Sequence, residues 1–216
     1  MQKDEIVEFL KANSSDSKSN FDKKLIDTKY EILGIITSVL EDFSKKIEFD
    51  DNFKPTFHEE ILLYGMTIAR RKDKKEKIRG VNTFLAYVDN WATCDMIACR
   101  LKKLESEKDF FFSLLQSKNP FYVRFGLVWI MRFYFKIDLK LSINAIKGVK
   151  FDHYYVNMAK SWAYAEGLLY DFDYVLSIIK AEEDFVKRKS IQKAIESFRI
   201  TSEQKNILRE YRSTLI

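Results

Sequence analysis

Apolar residues recur along this chain at intervals of three and four, the spacing of one face of an α-helix. The pattern predicts helices near residues 4–12, 21–30, 35–47, 56–71, 73–88, 92–106, 108–117, 120–136, 139–147, 153–170, 172–180, 185–198 and 202–213. Pro55 and Pro120 fall where a helix begins, a position that tolerates a missing N–H. Thr201 and Gln204 have the spacing of a capping box that opens the last helix. Residues 13–20, rich in Ser and Asp, read as a flexible linker after the opening helix. Alternate helices start near 56, 92, 120, 153 and 185, about 28 to 36 residues apart, which is the length of a helical-hairpin repeat. The expected fold is all-α, a right-handed curved stack of helical hairpins forming a single domain over residues 1–216. No residue motif repeats cleanly, so a non-repetitive helical bundle is the alternative.

Composition agrees with helices. The 216 residues include only 2 Pro and 6 Gly, too few punctuators for an all-β chain of this length. An apolar fraction of 46% supports a sizeable core, and 18 Phe with 11 Tyr predict that large rings fill much of it. Residues 1–5 lack the apolar region of a secretory signal, and no stretch of about 18 apolar residues occurs, so no membrane contact is expected. Cys94 and Cys99 lie five apart on one predicted helix and point to different faces, as small buried hydrophobes of a reducing cytosol do. His58 and His153 have no Cys or carboxylate at ligand spacing, so no metal is expected.

The net charge of +5 is mild, and its clustering says more. Arg70, Arg71 and Lys72 sit at one helix junction, followed by Lys74, Lys75 and Lys77. Lys187, Arg188 and Lys189 with Lys193 sit at another. Each run is either a solvated helix face or a phosphate-contacting patch.

Three residues or pairs stand out for chemistry. Trp91 and Asp95 are four apart and share one helix face near its N-terminus, where the helix dipole favours an anion. Arg124 is the only charge between Lys118 and Arg132, so it must find a carboxylate, a phosphate or solvent. Trp162 follows Tyr155, Met158 and Ala159 on a later helix. If hairpins stack in order, Asp95, Arg124 and Trp162 can line one concave surface. Equally, an Asp–Arg pair can stitch two repeats together above buried tryptophans.

Several segments carry a resemblance. Residues 30–40 (Tyr30-Glu31-Ile32-Leu33-Gly34-Ile35-Ile36-Thr37-Ser38-Val39-Leu40) resemble the Gly-Val-Arg-Thr-Pro-x-Leu-Arg motif that opens the AlkD-like bacterial DNA alkylation repair glycosylases. His58-Glu59-Glu60-Ile61-Leu62-Leu63-Tyr64-Gly65 and Val88-Asp89-Asn90-Trp91-Ala92-Thr93-Cys94-Asp95 are similar to later parts of that family. So are Tyr122-Val123-Arg124-Phe125-Gly126, the run from Tyr154 to Trp162, and the run from Lys189 to Arg199, in matching order and spacing over residues 29 to about 213. Departures occur at Ile36, Ser38, Glu41 and Ala92. Glu41 stands where the family usually has Arg, and Ala92 where it has an acidic residue.

The resemblance implies a HEAT-like solenoid that removes cationic N3- or N7-alkylpurines from duplex DNA by hydrolysing the N-glycosidic bond, without a cofactor or metal. It implies Asp95 as the catalytic carboxylate, Trp91 and Trp162 as nucleotide-packing rings, and Arg124 as a phosphate grip. The basic residues Arg70, Arg71, Lys72, Lys187, Arg188, Lys189 and Lys193 would then be phosphate contacts. A monomer acting in the bacterial cytoplasm at the nucleoid is the corresponding expectation. The alternatives are a non-catalytic HEAT-like protein that binds distorted or branched duplex, and a protein-interaction scaffold.

Overall fold

The computed structural model of the protein describes residues 3–49 and 53–215, and these form thirteen α-helices with no strand beyond one isolated parallel bridge, Glu31 to Phe57. The all-α class read from the sequence is thus observed. The chain divides into two compact units, Met1–Leu104 and Glu105–Ile216.

The first unit holds α1 (Lys3–Ala12), α2 (Asp16–Leu25), α3 (Thr37–Ser44), α4 (His58–Arg70), α5 (Lys74–Leu85) and α6 (Trp91–Ala98). Helix α4 is its axis, buried along nearly its whole length and packed against α3, α5 and α6. Gly65 makes this possible. A side chain there would collide with Ile97 of α6 and Phe84 of α5. Rings fill the remaining space: Phe9 stacks on Phe43 at 3.5 Å, and Phe53 packs on Tyr64 at 4.9 Å.

Two helices of this unit depart most from the periodicity. The second helix, expected over 21–30, runs from Asp16 because Ser15 caps it, accepting from the Lys18 N–H at 3.4 Å. The expected linker at 13–20 is therefore a short turn and the first half of α2. The helix expected over 92–106 stops at Ala98, and a turn follows in which Lys103 adopts a φ of 61°. Neither Cys94 nor Cys99 on this helix is in a disulfide, and Cys94 is buried.

Between α2 and α3 the chain is extended, and its amide groups need partners outside any helix. Buried Glu59, on the first turn of α4, supplies them. Its Oε2 accepts from the Leu33 N–H at 3.1 Å, and its Oε1 accepts from Gly34 at 2.7 Å and Ile35 at 3.4 Å. Gly34 is obligatory here, with a φ of 77° and no room for a side chain against the backbone of Ser15 and Ser19. Glu60 secures the approach to α4, its Oε2 accepting from Thr56 at 2.7 Å and Phe57 at 2.8 Å.

The second unit holds α7 (Lys108–Leu114), α8 (Pro120–Trp129), α9 (Leu139–Gly148), α10 (Tyr154–Gly167), α11 (Phe172–Lys180), α12 (Asp184–Glu196) and α13 (Ser202–Ser213). Helices α8, α10 and α12 lie side by side, and α7, α9, α11 and α13 each pack on one or two of them. This is the layering that the hairpin spacing predicts. Asn119, Asp138, His153, Asp171 and Thr201 cap α8, α9, α10, α11 and α13. Helix α8 widens at its end into a π turn over Ile130–Tyr134, where the Phe135 N–H bonds Ile130 at 3.2 Å. Fully buried Trp129 stacks on Phe111 at 3.7 Å, which fixes α7 to α8. A buried polar group ties α10 to the α11–α12 connection: Lys160 Nζ lies 3.2 Å from Glu182, and Tyr164 Oη donates to the same carboxylate at 2.5 Å.

Glu59→Gln tests the anchoring of residues 33–35. The amide replaces one accepting oxygen with an NH2 that faces a backbone N–H, so a charge-assisted bond is lost and a buried donor is left unpaired. Denaturant unfolding should show a loss of about 2–4 kcal/mol. A loss under about 0.5 kcal/mol would contradict the anchoring role.

Candidate functional site

Helix α6 carries the first pair of sequence-predicted site residues. Asn90 caps it, accepting from the Thr93 N–H at 3.0 Å, so Trp91 becomes its first residue and Asp95 its fifth. One helical turn apart, both are half-buried on the same side of α6. Asp95 sits past the first turn, where the helix dipole acts most strongly, so less of the expected dipole effect reaches it.

The polar edge of Trp91 is held. Its Nε1 donates to the Leu25 carbonyl at 3.3 Å, where α2 ends. Just beyond, Thr28 Oγ1 donates to Asp89 Oδ1 at 2.8 Å and the Lys29 N–H donates to Asp89 Oδ2 at 3.0 Å. Asn90, the cap, also donates to Asp89 at 3.1 Å. Beneath this, His58 Nδ1 on the first turn of α4 lies 3.5 Å from Thr93 Oγ1. The extended segment, α4 and α6 thus converge on the start of α6. Asp89 carries no signal of its own in the sequence, and His58 is weighed there only as a metal ligand, although both fall inside segments that carry the resemblance.

The far end of α6 is fixed as well. Arg100 Nη1 donates to the Met96 carbonyl at 2.8 Å and its Nη2 pairs with Glu41 on α3. Glu41 is one of the departures from the motif, and here it braces the helix that carries Asp95.

The other pair lies in the second unit. Arg124 on α8 is only 6% exposed, and its Nη1 donates to the Tyr155 carbonyl at 2.7 Å. Its charge in an apolar helix is met in part by a backbone carbonyl at the start of α10. Trp162 is half-buried on α10, two turns beyond Tyr155.

The chain belongs to the DNA alkylation repair enzyme family. The family model matches residues 6–198, which span both units. No curated protein and no solved structure matches the chain at a significant level. As a member, the chain is related to enzymes that repair alkylated DNA, and DNA is the partner this implies. No helix among the described residues is long and apolar enough to cross a membrane.

The basic residues separate into two arrangements. Arg70, Arg71 and Lys72 end α4; Arg70 donates to Ser44 Oγ at 2.5 Å, Arg71 to the Glu76 carbonyl at 3.1 Å, and Lys72 is exposed. In the second unit, Lys187, Arg188, Lys189 and Lys193 are half-buried along α12. Arg188 is tied to Asp184 at 2.7 Å and to the Leu215 carbonyl at 2.6 Å, and Lys189 to Gln192 at 3.2 Å. Lys45, Lys46 and Arg79, which no sequence run signals, join Arg70 and Arg71 around a cleft in the first unit.

His58 gives this region a pH dependence. Burial holds its imidazole below the ordinary value, with Glu59, Asp89 and Asp22 opposing. Unfolding restores a value near 6.5, so as pH falls the unfolded chain takes up the proton first. The stability that neutral His58 allows is intact above about pH 6.5 and lost as pH falls through the lower folded value. Melting curves between about pH 7.5 and 5 should show Tm falling more steeply for wild type than for His58→Gln. Parallel curves would rule the effect out.

Proposed function

We propose that the protein is a DNA glycosylase that hydrolyses the N-glycosidic bond of cationic N3- or N7-alkylated purines in duplex DNA. The observation that carries the reading is Asp95, half-buried one helical turn from Trp91 on a helix braced at both ends, in a chain of the DNA alkylation repair family. An alkylated purine already bears a positive charge, so it leaves without a strong general acid. The sugar that remains is oxocarbenium-like, and a fixed carboxylate stabilises that charge as it develops. Asp95 takes this part and orients the water that completes hydrolysis, giving the free alkylpurine and an abasic sugar.

The aromatic residues suit the same substrate, since indole faces attract cationic groups. Trp91 and Trp162 pack against the nucleotide in this reading, and Arg124 reads a phosphate from its largely buried position. The basic residues at the end of α4 and along α12 add phosphate contacts that are indifferent to sequence. Selectivity rests on the lesion's charge and weakened bond. A bacterial protein acting as a monomer at the nucleoid is the setting this chemistry fits.

Release of alkylpurine from methylated duplex DNA by wild type and Asp95→Asn tests the chemistry. The variant should keep its Tm and DNA affinity while excision falls by about 10²-fold or more, at least about 2.7 kcal/mol of transition-state stabilisation. If Asp95 instead serves the fold, the variant should lose about 3–5 kcal/mol of stability while its folded fraction excises normally. Wild type that binds duplex but releases no base would favour the non-catalytic binding reading.

Binding has its own test. Log affinity for duplex should fall with log salt at a slope of about −0.9 per phosphate contacted. A flat dependence, or no binding at low salt, would leave the scaffold reading.

A further inference from the structure

Helix α2 wears its apolar side chains on the outside. Of its ten residues only Phe21 and Leu25 are large and apolar, and these are 59% and 51% exposed, whereas its one buried residue is Ser19. A helix on the surface of a folded domain ordinarily turns its apolar stripe to the core. At 3.6 residues per turn, Phe21 and Leu25 stand about 200° and 240° around the axis from Ser19, on the face directed away from the domain. Four apart, they are neighbours and form one ridge.

Polar contacts hold the helix in place. Ser15 caps its start, Lys18 pairs with Asp22 at 2.7 Å, and Ser19 Oγ donates to the Ile32 carbonyl at 2.5 Å. Gly34 lets the extended segment lie against the backbone of Ser15 and Ser19. The ridge is therefore no part of what fixes α2, and leaving it in water forgoes the stability that burial would supply. Single exposed apolar residues are ordinary on a protein surface. These two adjoin one another, and the ridge ends at the proposed site, where the Leu25 carbonyl accepts from Trp91 Nε1 at 3.3 Å.

We propose that the Phe21–Leu25 ridge is a wedge that enters duplex DNA at a base step beside the nucleotide held at Trp91. The inference rests on the Trp91–Asp95 face being the one that meets DNA, and not on the chemistry assigned to Asp95. An apolar ridge gains only against an apolar counterpart. The outside of a duplex is phosphate and sugar, and its largest apolar surfaces are the faces of its stacked bases. Phe and Leu are among the side chains that proteins insert between base pairs, unstacking the step and kinking the duplex. Opening the step frees the neighbouring nucleotide from its stack and exposes its glycosidic bond to the Trp91–Asp95 face.

The flanking charge suits a polyanion. Lys23 and Lys24, exposed in the last turn, complement the dipole of α2, and that alone accounts for their position. Exposed Lys29 follows, its ammonium 5.1 Å from the centre of the Tyr30 ring. Among the described residues of this end, Asp27 is the exposed acid; Asp22 is paired with Lys18, and Asp89 accepts from Thr28 and the Lys29 amide. The ridge thus sits in positive surroundings that favour DNA over a basic partner.

A duplex carrying 2-aminopurine beside a 7-methylguanine tests the wedge, because 2-aminopurine brightens when it leaves its stack. Read before excision, wild type should raise its emission and Phe21→Ser/Leu25→Ser should not. The double variant should also bind duplex at least about 10-fold more weakly, a loss of about 1.4 kcal/mol. Its log–log salt slope should match wild type, since no phosphate contact has been removed. Phe21→Leu, which keeps an apolar tip, should retain both brightening and affinity. Phe198→Ser, at a fully exposed ring of the second unit, controls for loss of any surface ring and should behave as wild type. Melting curves should find every variant folded, because neither ridge residue is buried. A double variant that brightens the probe and binds as wild type does overturns the proposal, and so does a loss of affinity that comes with a shallower salt slope. A wild-type dimer that the double substitution dissociates, with DNA binding unchanged, assigns the ridge to a second copy instead. Wild type that binds no duplex overturns the wedge together with the DNA reading, whereas Asp95→Asn that excises normally overturns the role of Asp95 alone.

Discussion

An extended segment inside a helical protein must place its N–H groups on partners that no helix provides, and the first unit is organised around that requirement. Residues 26–36 leave α2 and cross to α3 without regular structure. Glu59 takes the amides of Leu33, Gly34 and Ile35, and Asp89 takes that of Lys29 and the hydroxyl of Thr28. Both acceptors sit at helix starts, one on the first turn of α4 and the other just ahead of α6. Removing Glu59 would leave buried amides of Gly34 and Ile35 desolvated without a bond, which is why its own burial is tolerated. The same contacts set the depth at which Trp91 sits, because its indole donates to the last residue of α2.

The placement of Asp95 follows from this arrangement. A carboxylate that stabilises developing charge has to be held in position before the charge appears, since reorganisation during reaction would waste the interaction. Helix α6 is only eight residues long, too short to be stable alone, so its position depends on what grips its ends. Asn90 and the Asp89 contacts hold the start, and Arg100 with Glu41 holds the finish. Glu41 differs from the motif of the glycosylases that the chain resembles, where a basic residue is usual. Its ion pair with Arg100 gives that difference a structural role. Ile36, another departure, is 59% exposed and takes no comparable part.

What could be read from the sequence was what periodicity records. Helices α9, α10, α11 and α13 fall close to their expected limits, because an apolar stripe is matched by a side-chain cap or a capping box at the start. The ring-filled core was legible from the number of Phe and Tyr. The path from 26 to 36 is not legible in the sequence because its order comes from side-chain-to-backbone bonds across 24 to 60 residues, which no local spacing encodes. Cation clustering shows the same divide. Arg70 and Arg71 were visible as a run, whereas Lys45, Lys46 and Arg79 become their neighbours only when α3, α4 and α5 pack.

Arg124 shows how one residue can be read correctly in kind and incompletely in setting. Its isolation in an apolar helix announces a charge that must be compensated, and the structure compensates it in part at the Tyr155 carbonyl. A guanidinium has five N–H donors in a planar fork, and the bond to the Tyr155 carbonyl helps to fix its orientation. A buried, oriented arginine meets an incoming phosphate with little loss of rotamer freedom and in a medium where the attraction is less screened than at the surface. An exposed lysine in its place would carry the same charge without that preorganisation. The phosphate grip proposed for Arg124 would draw on this burial, and the bond to the Tyr155 carbonyl helps to make the burial tolerable.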